Sequence, residues 1–281
     1  MRARRRAVAA FVAVTVSVAL LEAAAPAAGA SGTRRLWRLP TSRVASHVAA
    51  PVVTVVPPAV TVSPLPAAPA GMRLVASDDF DRSTLGDQWG TYSGRPGGNA
   101  DGWWDPANVL LRNGHLVLRG QRRDGLWVTG GANFRPARAT YGHYAVRMRM
   151  DPSAAVKQVA LLWPASGRWP VDGEVDFSED GGGDRLHTDG HLHWGADNSQ
   201  SHATTKVDLT TWHTVGLDWA PGKVVYTMDG NPWATFTTGV PTGPMDLSFQ
   251  TEGVACAGLP DCTSTADVDL EIDWVAVYAP V

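Results

Sequence analysis

The chain has 281 residues, enough for one large domain or two small ones. Its net charge of −3 hides an asymmetry: residues 1–71 carry eight arginines and one acid, while the remainder carries 16 basic and 26 acidic side chains. So acidic a body argues against nucleic acid or a heavily sulfated glycan as ligand, and favours a neutral partner.

In chain order, Arg2, Arg4, Arg5 and Arg6 form a basic start, residues 7–21 form a largely apolar run, and Ala28-Gly29-Ala30 offers a small-residue cleavage site. This is the pattern of a secretory signal peptide over residues 1–30. The run is shorter than the roughly 20 apolar residues of a membrane span, so the expectation is export with cleavage and no span afterwards. Residues 31–71 are Ala, Val, Pro and Ser-rich and read as a semi-rigid, disordered spacer. Its basic opening, RRLWRLPTSR, is either a solvated tail or a contact for an anionic cell wall.

After Met72 the character changes to strand-like segments bounded by Gly, Pro, Asn and Asp. Residues 109–112 and 115–119 flank Asn113-Gly114, a hairpin signal. In YGHYAVRMRM, Tyr144, Val146, Met148 and Met150 alternate with Ala145, Arg147 and Arg149, as in a half-buried strand. Residues 223–228 run into Asp229-Gly230-Asn231 and a strand at 233–237, and a last strand is expected at 268–278. No long amphipathic helix and no repeat is visible. Residues 72–281 therefore read as one all-β domain, a β-sandwich or barrel, expected to act as a monomer. Export places Cys256 and Cys262, which close the short loop CAGLPDC, where a local disulfide is expected; the rival is a free or metal-binding pair, though two thiols alone make a poor structural zinc site.

Eleven of the twelve tryptophans fall in this domain, more than a sandwich core needs. An excess of Trp suits platforms that stack on the apolar faces of sugar rings. The acids of WPVDGEVDFSED supply the chemistry. Glu174 and Asp176 share a strand face, and a single bulge between Asp176 and Glu179 returns Glu179 to it. The outer glutamates then stand about 13 Å apart along the backbone at ~3.3 Å per residue. Side chains leaning inward can close that to about 5–6 Å, the separation of a retaining glycosidase pair. In such a pair one carboxylate attacks the anomeric carbon and the other protonates the leaving oxygen. Three crowded carboxylates cannot all ionise easily, so at least one pKa should rise.

These residues resemble glycoside hydrolase family 16, which includes laminarinases and lichenases. EVDFSE at 174–179 is similar to the family's bulged Glu-x-Asp-x-x-Glu motif. The likeness continues through DDFDRSTLGDQWG, GWWDPANVLLRNGHLVL, YGHYAVRMRM, HLHWG, TWHTVGLDWAPGKVVYTMDG and DWVAVY, in order, over some 200 residues. It implies a concanavalin A-like jelly-roll sandwich with a glycan groove on its concave face. It also implies Glu174 as nucleophile, Glu179 as acid/base and Asp176 as their assistant. Trp169, Trp163, Trp103 and Trp104 become candidate sugar-binding residues, with His193 and Gln250 beside them. The implied activity is retaining endo-hydrolysis of a β-1,3- or mixed β-1,3/1,4-glucan, with no cofactor required and a structural calcium compatible with the scaffold. Galactan hydrolysis, transglycosylation and non-catalytic glycan binding are the alternatives. One departure stands out: Ser178 replaces the methionine that the commonest laminarinase form has before the last Glu.

A metal enzyme is the competing reading, from His187, His191 and His193 with Asp184 and Asp189. No G-x-S-x-G elbow occurs, and Gly181-Gly182-Gly183 lacks the Lys-Ser/Thr of a phosphate loop, so its expected role is to free the loop after the acidic strand.

Overall fold

The structure is a computed structural model; it describes residues 63–97, 99, 102–254 and 264–281. The expected signal peptide, most of the spacer, and the Cys256–Cys262 pair lie outside the described residues. No helix among them is long and apolar enough to cross a membrane.

The first strands are β1 (Met72–Asp78), β2 (Trp89–Thr91), β3 (Gly102–Trp104), β4 (Val109–Arg112), β5 (His115–Arg123) and β6 (Leu126–Thr129). The middle ones are β7 (Gly131–Ala139), β8 (Gly142–Met150), β9 (Val156–Pro164), β10 (Glu174–Asp180), β11 (His187–Trp194) and β12 (Ser199–Lys206). Then come β13 (His213–Ala220), β14 (Lys223–Met228), β15 (Asn231–Phe236), β16 (Met245–Gly253) and β17 (Val268–Pro280). They form two sheets. One runs β15-β14-β13-β8-β17-β5-β6-β3, with β1 also on β17 and β4 also on β5; the other runs β12-β11-β10-β9-β16-β7-β2. The expected all-β sandwich is what the chain forms.

Alternation decides which side chains meet between the sheets. Tyr144, Val146, Met148 and Met150 of β8 are buried, and they join Val175, Phe177, Leu192, Leu247 and Phe249 of the facing sheet in one continuous core. Arg147 and Arg149 take the outer face, where their guanidiniums lie over the Trp212 ring. The Asn113-Gly114 hairpin forms as expected, with both residues at positive φ. The tail of the expected spacer is tied to the domain: Tyr278 donates to the Pro66 carbonyl at 2.6 Å, and Leu65 packs with Met72 on Ala145, Trp274 and Ala276.

Two features fix the strand that carries the acids. Below β11, Gly190 has no side chain, and a Cβ there would stand 2.5 Å from the Tyr226 ring; Tyr226 instead fills that space and donates to the His191 carbonyl at 2.6 Å. Beyond β10, the triple glycine is not the free loop the sequence suggested. Gly183 exchanges backbone hydrogen bonds with Ser153 at 2.7 and 3.0 Å. The fully buried Arg185 then reaches back to Asp180 at 2.9 Å and to the Val156 carbonyl at 2.5 Å. Glu179 is thus followed at once by an anchored residue.

Candidate active site

The bulge that the acid spacing required is present. β10 pairs with β11 as Glu174↔His193 and Asp176↔His191, then shifts register before Glu179↔Asp189, and a matching shift occurs against β9 between Asp176 and Ser178. Val175 and Phe177 point into the core, while Glu174, Asp176 and Glu179 line a cleft on the outer face of the same sheet. Ser178 is buried, hydrogen-bonded to Gln158 at 3.2 Å and to the Thr188 hydroxyl at 3.0 Å. Thr188 in turn donates to the Glu179 carbonyl at 3.0 Å. The serine that departs from the usual methionine therefore sits among polar partners that hold the bulge.

The cleft encloses about 810 Å³, room for several sugar rings. Of the sequence candidates, Trp104, Trp163, Trp169, His193 and Gln250 line it. Trp103 does not: it neighbours Trp104 on β3, so alternation sends its half-exposed ring to the other side. Trp163 and Trp169 stack with ring centres 6.1 Å apart and planes 12° from parallel. The Trp169 indole N–H donates to Glu174 Oε2 at 2.5 Å. His193 Nε2 stands 3.5 Å from Asp176 Oδ2, and its Nδ1 is held by Asn198 at 2.9 Å.

Residues not singled out beforehand complete the lining. Asp246, Ser248, Gln250 and Glu252 alternate along β16, so the choice of Gln250 already implied the other three. Lys157 pairs with Glu252 at 3.3 Å. Asn133 comes from β7 and Tyr92 from the residue just after β2; Gly131 admits Tyr92, whose ring would lie 2.3 Å from a Cβ there. No local signal marked these two.

Electrostatics separate the groups. Burial, then the charge of Asp176, lifts both glutamates, Glu174 to about 8 and Glu179 to about 7. The Trp169 N–H and His193 oppose the rise at Glu174 by favouring its anion. The hydrogen bond to Asp176 raises His193 to about 9, so it is cationic at neutral pH. Burial pushes His191, 3.6 Å from Glu179 Oε2, the other way. The Oδ1 atom of Asp176 is buried without a partner, an acceptor facing its crowded neighbours.

The competing histidine cluster does not assemble as a metal site. His187 faces Lys206 across β12, Asp189 accepts from Thr204, and Asp184 caps the Leu186 N–H. Among the described residues, only Glu174, Asp176 and His193 bring three such donor atoms within 4.8 Å of one another, and these are the catalytic candidates already hydrogen-bonded to Trp169 and Asn198.

The model of glycosyl hydrolases family 16 matches residues 97–276, well over half of the chain. The chain belongs to this family. The family-16 chain is 28% identical over 188 residues to a glucan endo-1,3-beta-glucosidase of Cryptopygus antarcticus, covering 56% of this chain and 67% of that protein. Its fold is similar to the laminarinase catalytic domain of Thermotoga maritima, with a TM-score of 0.66, 19% identity, and 75% and 99% of the two chains covered. It is likewise similar to an endo-beta-1,3-glucanase of Pyrococcus furiosus, with a TM-score of 0.68, 20% identity, and 75% and 95% covered. The family-16 chain is a glycoside hydrolase, and its substrate class is a polysaccharide.

Proposed function

We propose that this enzyme is a secreted, monomeric, retaining endo-hydrolase of a neutral β-glucan, with β-1,3 or mixed β-1,3/1,4 linkages. The observation that carries the reading is the bulge in β10, which turns Glu174, Asp176 and Glu179 onto one face of a tryptophan-lined cleft. The Cryptopygus antarcticus relative, a glucan endo-1,3-beta-glucosidase, favours the β-1,3 linkage. Neutral substrate follows from the lining, whose lysine is already paired to Glu252 among several carboxylates. Residues 1–30 serve as the export signal, and Cys256 and Cys262 form a disulfide in the exported protein.

The chemistry is a double displacement. Glu174 attacks the anomeric carbon in the form whose single shared proton sits on Glu179, an anion that His193 and the Trp169 N–H favour, as the bond to the leaving oxygen breaks. Glu179 gives its proton to that oxygen, and a glycosyl ester on Glu174 remains. Glu179, now a carboxylate, takes a proton from water as the water attacks the same carbon and releases Glu174. Asp176, charge-balanced by His193, offers Oδ1 to a protonated neighbour and separates the two roles. Neither a metal nor a cofactor enters any step.

The test is reducing-end release from laminarin, lichenan and agarose by the wild type and by Glu174→Gln, with the anomer of the first product followed by NMR. Release of the β-anomer from a glucan, lost in the variant, is expected. Release of the α-anomer, or undiminished release by the variant, overturns the mechanism; release from agarose alone overturns the substrate class.

A further inference from the structure

The cleft lies almost wholly to one side of β10, on the β9, β16 and β7 side of the sheet. A polysaccharide cut over β10 has a second half, and the sheet continues under it through β11 to the edge strand β12. That stretch carries a row of imidazoles. His191 sits 6.1 Å from His193 at 30°, and 5.8 Å from His202 at 18°. Asp176, His191 and His202 are register partners on three successive strands, so the row leads straight from the carboxylates to the sheet edge.

The direction is argued from Glu179. Its Oε2 lies 3.6 Å from His191 of β11, whereas Glu174, beside His193, accepts from Trp169, whose ring stacks on Trp163 of β9. The proton donor stands beside the sugar that leaves, so that sugar lies over His191 and the next one over His202. β12 alternates strictly between half-buried and exposed residues, and Gln200 and His202 are on its exposed side. The catalytic steps use neither.

We propose that His191 and His202 form a binding subsite for the leaving half of the polysaccharide, continuous with the cleft across β10. The ligand is a neutral β-linked glycan whose ring faces lie on the imidazoles, with the Gln200 amide within reach of its hydroxyls. The proposal rests on the β-glucan hydrolase reading above. Contacts on both sides of the cut are what mid-chain cleavage requires, and the same subsite would hold an incoming sugar acceptor.

The test compares wild type, His202→Ala and His202→Phe on the glucan polymer and on the 4-nitrophenyl glycoside of a trisaccharide of the same linkage, whose leaving group is too short to reach β12. Loss of one flat stacking partner should lower the ratio of polymer to aryl-glycoside kcat/KM about two- to tenfold in His202→Ala. The Phe variant should restore it. An unchanged ratio in His202→Ala, or no recovery in His202→Phe, overturns the subsite while leaving the hydrolase reading intact. A wild type that cleaves neither substrate overturns the β-glucan reading and the subsite with it.

Discussion

Replacing Glu179 by Gln should make the domain inactive and, at alkaline pH, more stable. Glu179 is three-quarters enclosed, and burial with the Asp176 charge moves its pKa from the ordinary 4.5 to about 7. The unfolded chain ionises this carboxyl near the ordinary value while the folded domain keeps it protonated. Stability therefore falls as pH rises from about 4.5, and the loss is complete once pH passes the folded value. Below that window both states are protonated and the penalty is absent. The full loss is about 3 kcal/mol at ~1.4 kcal/mol per tenfold change in ionisation. Gln never ionises and escapes it. For a domain of this size, about 3 kcal/mol corresponds to a Tm gain of roughly 6–12 °C. Melting curves of both proteins at pH 4.5 and pH 8, at fixed ionic strength, give the comparison. The amide brings an offset common to both pH values, and the growth of the Tm difference between them comes from the carboxyl and from the effect of its charge on Glu174. A difference that stays constant, or a wild type that gains on the variant at pH 8, refutes the account of the site.

The same electrostatics shape catalysis. With Glu174 raised to about 8 and Glu179 to about 7, the form holding one proton between them spans a narrow range, so kcat/KM against pH should be a narrow bell with its maximum at pH ~7–8. Trp169→Phe keeps a ring to stack on Trp163 but removes the N–H that favours the Glu174 anion; the alkaline limb should move to higher pH and kcat fall about tenfold, and an unmoved limb would refute that role. Arg185→Met leaves Asp180 buried without its cation and should cost about 3–5 kcal/mol in urea unfolding, and a near-neutral result would show that the anchor beyond Glu179 is dispensable.

Much of the site could be read locally. The two-residue repeat of a strand fixes which side chains share a face, so Glu174, Asp176 and Glu179 could be joined only through a bulge, and that bulge is in the chain. Tyr144, Val146, Met148 and Met150 announced their own burial in the same way. The adjacent pair Trp103 and Trp104 shows the limit of such reasoning. Alternation says that they face opposite ways, but nothing within three residues of them says which ring enters the cleft.

That choice, like the arrival of Tyr92 and Asn133, was made by strands paired across long stretches of chain. β10 lies between β9 and β11, but the cleft wall beyond β9 is β16, some seventy residues later, and beyond that β7 and β2. The order of strands depends on which faces close a common core, a property of the whole chain that no short window contains. So does the environment that lifts the glutamates, because burial is supplied by neighbours remote in sequence. One short window of residues held the chemistry available, two glutamates and an aspartate on one face of a bulged strand. What surrounds them came from the order of the strands, because side-chain direction is local and sheet order is not.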